Sequence, residues 1–302
     1  MTVLVVGSVA FDDIETPHGR VEKTVGGAAT YFALAASLFS PVKLVGVVGD
    51  DFHPAHESVF HGRPIDLAGL ERVPGKTFFW AGRYGDDLNQ RTTLATELNV
   101  FAAFQPKLPE NYQACPFVFL ANIDPTLQRS VLRQVSRRPR LVALDTMNYW
   151  IERTPAELAE TLRHTDVLIV NDEEARQLSG CSNLMRAASR ITSMGPRALV
   201  IKRGEHGATL INNGSVFSVP GYPLEEVRDP TGAGDSFAGG FMGSLATTGR
   251  IGMPALRRAM VYGSVLGSFA VERFGLERLR SLTPSEVGER ARRFRALTYF
   301  SL

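Results

Sequence analysis

Asp229-Pro230-Thr231-Gly232-Ala233-Gly234-Asp235-Ser236-Phe237 is a run of small residues that leads from a proline into a long apolar stretch. Pro230 holds Asp229 extended, and the small residues that follow let the backbone turn without Cβ clashes. Ser236-Phe237-Ala238-Gly239-Gly240-Phe241 continues as a small-residue helix. Gly232, Ala233 and Gly234 therefore fall at a helix N-terminus, with N–H groups that no preceding turn can satisfy. Such a terminus is an anion hole suited to a phosphoryl group. Asp235 stands in the same first turn, where the helix dipole favours its ionised form, so it is available to accept a hydroxyl proton. The same stretch, taken alone, also reads as a glycine-rich helix start whose Asp is a cap. It is no Walker A loop, because no Gly-Lys-[Ser/Thr] follows. Nor does a strand–turn–GxGxxG–helix unit surround it, as a dinucleotide fingerprint requires.

Outward from this segment, strand and helix patterns alternate. Val3–Phe11 is a continuous apolar run that suits a strand buried on both faces. Gly26-Gly27 opens an apolar helix over Ala28–Phe39, which Pro41 ends, and Lys43–Val48 is a strand leading to Gly49-Asp50-Asp51. Short apolar runs at Phe117–Ala121, Leu141–Leu144, Val167–Val170 and Ala198–Ile201 are separated by helical stretches such as Pro125–Arg137 and Pro155–His164. This alternation predicts an α/β fold: a mostly parallel central sheet with helices on both faces. Gly207–Ile211 and Val216–Val219, joined by Asn212-Asn213-Gly214, read as a hairpin. The last third is helical over Ala233–Thr247, Pro254–Val271 and Pro284–Ala296.

Two segments, about 12–25 and 77–98, break the rhythm. They are polar and extended and read as antiparallel β-ribbons forming a small β lid over one end of the sheet, or as an edge hairpin or dimer contact. A homodimer through the lid is one expectation. No repeat, low-complexity stretch or linker divides the chain, so residues 1–302 read as a single domain with its lid.

Hydrophobic residues make up 44% and charged residues 21% of the 302, the ordinary globular range. A net charge of +2 is too small to imply nucleic acid or a membrane surface as main partner. The densest basic run, Arg290 to Arg295, reads as a solvated helix face. Cys115 and Cys181 sit in no CxxC pair, which argues against zinc or a disulfide framework and fits a reducing cytoplasm. The apolar start Met1–Gly7 lacks a basic n-region and reads as a buried strand rather than a signal peptide. No run approaches the roughly 18 apolar residues of a membrane span. A soluble, cytoplasmic protein is expected.

The Asp229–Phe237 segment resembles the C-terminal signature of the ribokinase-like, or PfkB, family of carbohydrate kinases, and other pieces follow in the family's order. Gly7-Ser8-Val9-Ala10-Phe11-Asp12 resembles its first strand, ending in an Asp that bonds sugar hydroxyls. Gly26-Gly27-Ala28-Ala29 resembles the glycine pair that approaches the sugar. Asn171-Asp172-Glu173-Glu174 resembles the Asn-x-x-Glu element, which holds magnesium and phosphate through water. Lys202-Arg203-Gly204-Glu205-His206-Gly207 resembles the glycine turn beside the nucleotide. The resemblance implies an ATP-dependent kinase that uses Mg2+. It makes Asp235 the general base and Gly232, Ala233 and Gly234 the anion hole. It assigns Asp12, Gly26, Gly27 and Tyr31 to the acceptor, and Asn171, Lys202, Gly204, Gly207 and Thr231 to ATP and its phosphates. Glu174 would hold magnesium through water, and Asp229 with Thr231 would help hold the K+ that some members need. Val265–Phe274 and the loop before Asp229 would flank the adenine.

The residue chemistry agrees, and at several positions leaves a second reading open. Asp12 can accept two hydrogen bonds from a vicinal diol, while Asp13 would point the other way on an extended strand. The glycine pair also fits a plain helix entry, Glu174 a solvated helix face, and Gly204 with Gly207 a plain turn. Where the family often has Asn, this chain has Tyr31 beside Thr30: a hydroxyl donor, a stacking ring or a core aromatic. Phe78 and Trp80 share one face of a lid strand and cover a ligand or pack the flap. Arg83 and Arg91 bind a phosphorylated sugar or stand as solvated charges. The acceptor is thus a sugar or sugar-like molecule, with a nucleoside as the alternative. A catalytically silent ligand-binding member is opposed by the intact Asp235. An NAD-dependent oxidoreductase is opposed by the missing fingerprint near the first strand.

Overall fold

The structure, a computed structural model, describes residues 1–299; residues 300–302 of the expected single domain lie outside the described residues. In chain order the strands are β1 (Val3–Val6), β2 (Ala10–Thr16), β3 (Gly19–Gly26), β4 (Val42–Val48), β5 (Ile65–Arg72), β6 (Phe78–Tyr84), β7 (Arg91–Glu97), β8 (Phe117–Leu120), β9 (Leu141–Asp145), β10 (Val167–Asn171), β11 (Ala198–Lys202), β12 (Ala208–Asn212) and β13 (Ser215–Val219). Nine of them form one sheet in the order β13-β12-β11-β10-β9-β8-β1-β4-β5. The pairings from β11 to β5 are parallel, and the β12–β13 hairpin adds an antiparallel edge. Asn213 and Gly214 take the positive φ values, 47° and 78°, that such a two-residue turn requires.

Alternate residues of each central strand face two separate cores, as a pleated strand buried on both sides dictates. Val3, Val5, Phe117, Phe119, Val167 and Ile169 join one core, against the helices Ala28–Ala36, Ala233–Thr248 and Met253–Ala270. Leu4, Val6, Val118, Leu120, Leu168 and Val170 join the other, with Val131 and Leu158 from the helices Pro125–Gln134 and Pro155–Leu162. The first of these helical layers positions the site. A Cβ on Gly239 would lie 2.4 Å from the Phe32 carbonyl oxygen, so helices Ala28–Ala36 and Ala233–Thr248 touch backbone to backbone. Among the described residues no helix is long and apolar enough to cross a membrane.

Three features differ from the sequence expectations. Val3–Phe11, read as one strand, divides after Val6, and Ala10 begins β2 in a different sheet. Gly7 is pressed against Ala121, where a Cβ would stand 2.6 Å from that residue's own. Ser8 then turns its hydroxyl and carbonyl oxygens to accept the N–H groups of Ala28 and Ala29, each at 3.0 Å. The chain leaves the sheet to cap the helix it will later form. Strand β5 escaped the pattern reading because it lies at the sheet edge, mostly half-buried, with Asp66, Glu71 and Arg72 interrupting its apolar residues. The lid is a four-stranded sheet, β3-β2-β6-β7. Its two hairpins are antiparallel as expected, but they join through a parallel β2–β6 pair.

Candidate active site

Strands β10 and β11 end level with one another, Asn171 in register with Lys202, and β9 ends two residues short of them, with Asp145 in register with Ile169. Ligands of open α/β sheets bind outside such carboxyl ends. From there the chain enters helix Asp172–Ser179 through a capping box. The Asn171 side chain accepts the Glu174 N–H at 2.7 Å, and one Glu174 carboxylate oxygen accepts the Asn171 N–H at 2.8 Å. The other Glu174 oxygen accepts no hydrogen bond among the described residues. Burial pushes this carboxyl up to about 7 against the pull of Lys202.

The loop that opened the sequence reading closes the same corner. Asp229 is fully buried, and its two oxygens accept the N–H groups of Thr231 and Gly275, each at 2.8 Å. The Val271 carbonyl receives the N–H groups of Arg228 and Asp229, so the two segments expected to flank the adenine are adjacent. Gly232 takes φ 72°, and a Cβ there would lie 2.2 Å from the Tyr31 ring. Only glycine satisfies both constraints. Helix Ala233–Thr248 starts at the next residue, with Asp235 in its first turn. Burial raises the Asp235 carboxyl to about 6, opposed by Lys202 and Arg91.

On the acceptor side, Asp12 lies on β2 and is 4% exposed. A Cβ on Gly26 would stand 1.8 Å from its carboxylate. Burial raises Asp12 to about 7, and Asp229 and Asp235 add to the rise. Asp13 faces away, as alternation requires, and accepts the Lys23 N–H at 2.6 Å. Tyr31 is buried against Gly232, and its hydroxyl has no partner among the described residues. Burial, then Asp229 and Asp12, push its phenol well above the ordinary range.

The lid reaches both halves of the site. The Thr231 hydroxyl donates to the Tyr84 oxygen at 3.2 Å, and the Thr16 hydroxyl to the Arg228 carbonyl at 2.8 Å. Asn89, at the lid tip, lies so close to Gly204 (φ 51°) that a Cβ would stand 2.2 Å from its side-chain oxygen. Gly207 ends the same turn at φ 88°. Arg83 pairs with Glu15 at 3.0 Å on the exposed face. Phe78 stacks on Phe101 and packs the flap. Trp80, in register with Asp12, lies over Gly82, with the Arg91 guanidinium 5.3 Å from its ring centre.

The structure thus brings together the residues read from the sequence and adds Asp145, Tyr84 and Arg91 to them. Asp145 is 6% exposed; burial raises it to about 7, Lys202 opposes and Asp235 adds. Its only sequence signal was an acid at the carboxyl end of an apolar strand. Arg91, one of the two arginines left open between sugar phosphate and solvent, lowers both Asp235 and Glu174 and so faces the site. Among the described residues no three His, Cys, Asp or Glu side chains group closely enough to hold a metal among them.

Comparisons with known proteins agree with this architecture. The pfkB family carbohydrate kinase model matches residues 2–281, and the chain belongs to that family. It is 30% identical over 248 residues to the cytidine kinase of Thermococcus kodakarensis, covering 80% of this chain and 87% of that one. It is 26% identical to a nucleoside kinase of Methanothermobacter thermautotrophicus, over 97% and 96% of the two chains. Among solved structures, the aminoimidazole riboside kinase of Salmonella enterica superposes with a TM-score of 0.77 at 22% identity, over 96% of this chain and 100% of that one. The adenosine kinase of Sinorhizobium meliloti gives a TM-score of 0.80 at 18% identity, over 96% and 98%. This protein is accordingly an ATP-dependent kinase of the sugar and nucleoside class.

Proposed function

We propose that the enzyme transfers the γ-phosphate of ATP to a hydroxyl of a sugar ring held by Asp12, with Asp235 as general base and the N–H groups of Gly232, Ala233 and Gly234 as anion hole. The observation that carries this reading is the convergence of Asp12 and Asp235. They come from the lid and the C-terminal helix, yet Gly26, pressed against the Asp12 carboxylate, and Tyr31, pressed against Gly232 at the start of the Asp235 helix, lie on one short segment that ties the two together. A ring whose neighbouring hydroxyls bond Asp12 places another hydroxyl within reach of Asp235. That hydroxyl gives its proton to Asp235 as its oxygen bonds the γ-phosphorus; the bond to the β-bridging oxygen breaks, and its electrons leave with ADP. Asp235, with its carboxyl at about 6, is ionised at neutral pH. Turnover therefore falls at least about tenfold per unit below pH 6, with Asp12 and Glu174, both at about 7, already protonating above it.

Magnesium suits the free oxygen of Glu174, since the ion keeps several waters and asks for few direct carboxylates. When bound, it neutralises charge on the β- and γ-phosphates. Asn171 shapes this element as its cap, and Gly204 and Gly207 give the nucleotide a side-chain-free turn. Asp229 holds the anion-hole loop through its two N–H acceptors, with Thr231, and K+ would add to that shell rather than create it. Residues 1–302 act as one cytoplasmic kinase unit. The exposed Leu94 of edge strand β7 and nearby Leu98 support a homodimer through the lid.

A nucleoside is the sugar-bearing acceptor favoured by a specific observation. Trp80 is the register partner of Asp12 in a parallel pair, so the two side chains leave the same face of the lid from neighbouring strands. An aromatic surface on that face suits a base, and two relatives are named as cytidine and nucleoside kinases. An ATP-to-ADP coupled assay over sugars, sugar phosphates, inositols and nucleosides, run with Asp235→Asn beside the parent, tests both readings. We expect nucleosides to give the highest kcat/KM and the variant to lose at least about 10³-fold in kcat. Turnover confined to free sugars would remove the nucleoside reading, and a variant near the parent rate would remove Asp235 as base.

A further inference from the structure

Two neighbouring lid residues hold the loop that leads into helix Ala233–Thr248. Glu15 and Arg83 are in register and pair on the outer face, so the next residues, Thr16 and Tyr84, leave β2 and β6 on the inner face. Thr16 is 6% exposed and Tyr84 7%. The Thr16 hydroxyl donates to the Arg228 carbonyl at 2.8 Å, and the Tyr84 oxygen accepts the Thr231 hydroxyl at 3.2 Å. Arg228 and Thr231 bracket Asp229, whose carboxylate accepts the N–H groups of Thr231 and Gly275. A third lid residue reaches the second of these supports: a Cβ on Gly275 would stand 3.1 Å from the Thr24 hydroxyl oxygen. Thr24 is the register partner of Asp12 on the adjoining strand. The acceptor residue and the three residues that grip the loop therefore belong to one small sheet. Thr231 immediately precedes Gly232, the φ 72° residue from which the helix starts, so a shift of Thr231 passes directly to the N–H groups beyond it. The Tyr84 ring alone would pack as well without its oxygen. A buried hydroxyl is costly unless it is bonded, and the bond this one makes is to the loop. Burial raises the phenol above its ordinary range, so it keeps its proton at neutral pH.

We propose that Tyr84, with Thr16 beside it, is a positioning residue that sets the Arg228–Thr231 loop when the lid is closed, so that the acceptor held by Asp12 and the phosphates of ATP strengthen each other's binding. The proposal rests on the kinase reading above and deepens it. Tyr84 acts through Thr231 rather than on a reactant. A bond that exists only under the closed lid stabilises that state alone, and each ligand that favours the closed lid gains from it. Two such bonds together are of the size that gives about 5- to 150-fold coupling between two ligands. Linkage makes the effect reciprocal: whatever factor the acceptor gives the nucleotide, the nucleotide gives the acceptor.

The test compares the full parent chain with Tyr84→Phe and Thr16→Val. Calorimetry measures the affinity for β,γ-imido-ATP with Mg2+, in the absence and presence of the best acceptor of the panel. The affinity for that acceptor is measured with and without the nucleotide. In the parent, each ligand should tighten the other by the same factor, at least about fivefold. Tyr84→Phe should bind each ligand alone within about twofold of the parent, lose at least about threefold of the coupling factor, and fall about tenfold in kcat. Thr16→Val removes the neighbouring bond and should lower the coupling in the same direction. A merely structural tyrosine would behave differently: its loss would lower the melting temperature and weaken each ligand by itself, and the coupling factor would stay put. Parental coupling in Tyr84→Phe therefore overturns the proposal whatever its kcat, and so does a parent in which the two ligands bind independently. If Tyr84→Phe does not fold, parental coupling in Thr16→Val overturns it instead. A parent that phosphorylates no acceptor of the panel overturns the kinase reading itself, a failure distinct from that of an active kinase without coupling.

Discussion

On the C-terminal flank, Glu272 shares its carboxylate between two arginines: Arg278 donates to one oxygen at 2.8 Å, and Arg290 to the other. Arg278 also donates to Glu286 at 2.8 Å, Arg290 to the Ser268 hydroxyl at 3.1 Å, and both guanidiniums lie against the Phe269 ring. The Thr283 hydroxyl and then Arg278 hold Glu286 down at about 2. At the strand ends, Asp145, Glu174, Lys202 and Asp235 also set acids against a base, with the opposite settlement. No lysine–carboxylate contact closes within 4.0 Å, and burial raises all three acids to between about 6 and about 7. One cluster spends its charges on each other and stabilises the fold. The other leaves them unpaired and partly neutralised by burial, at a cost to the folded chain.

The comparison breaks first at Arg290. Its side chain is 15% exposed, and Arg290→Ala leaves the Glu272 carboxylate half-paired beside Phe269. Losing the charged hydrogen bonds of such a network costs about 1.5–3 kcal/mol, read as a lower urea midpoint with an unchanged slope. Turnover per folded molecule should stay at the parental value. A variant as stable as the parent would mean that the flank is no better settled than the site.

The site should respond in the other direction. Asp12 has a folded-state carboxyl at about 7 against 3.8 for the free side chain. Between those values the folded protein binds more protons than the unfolded chain, so stability falls as pH rises through that window. Asp12→Asn removes the cost of ionisation while keeping the side chain's size and its place against Gly26. At pH 8 the variant should be more stable by about 2 kcal/mol. The gain should vanish near pH 4, and phosphorylation of the acceptor should collapse. Thermal melts at both pH values measure it. A variant less stable at pH 8 than at pH 4, relative to the parent, would show that Asp12 is a structural acid and not a held-back one.

The same contrast explains what could be read from the chain alone. The parallel sheet was legible because strands buried on both faces leave uninterrupted apolar runs, as Val167–Val170 and Ala198–Ile201 do. The Asp229–Phe237 loop was legible because it meets a local demand: Gly232 takes φ 72° where the chain turns into the helix. Asp145 was not, because a lone acid at a strand end acquires meaning only when β11 brings Lys202 beside it. Arg290 was misread as part of a solvated face, since Phe269, Glu272 and Tyr222 approach it from elsewhere in the fold. The parallel β2–β6 pair was hidden for the same reason, as the hairpins are local and their joining is not.

The smallest expected effect is a control on the flank's own rule. Arg273 and Glu277 pair at 2.6 Å, as short as many contacts in the buried network, but both side chains are more than half exposed, 57% and 61%. Water already solvates each ion, and holding two long side chains together costs rotamer freedom. Distance alone should therefore contribute little, and Arg273→Ala should cost about 0.3 kcal/mol. That loss should shrink further in 0.5 M salt, where screening acts on exposed charges first. The loss at Arg290 should persist there, because Phe269 and the neighbouring side chains exclude the ions that would screen it. Equal costs for the two substitutions, or equal salt sensitivity, would show that enclosure is not what separates a settled charge from a solvated one. The contrast with the strand-end cluster would then need a different physical basis.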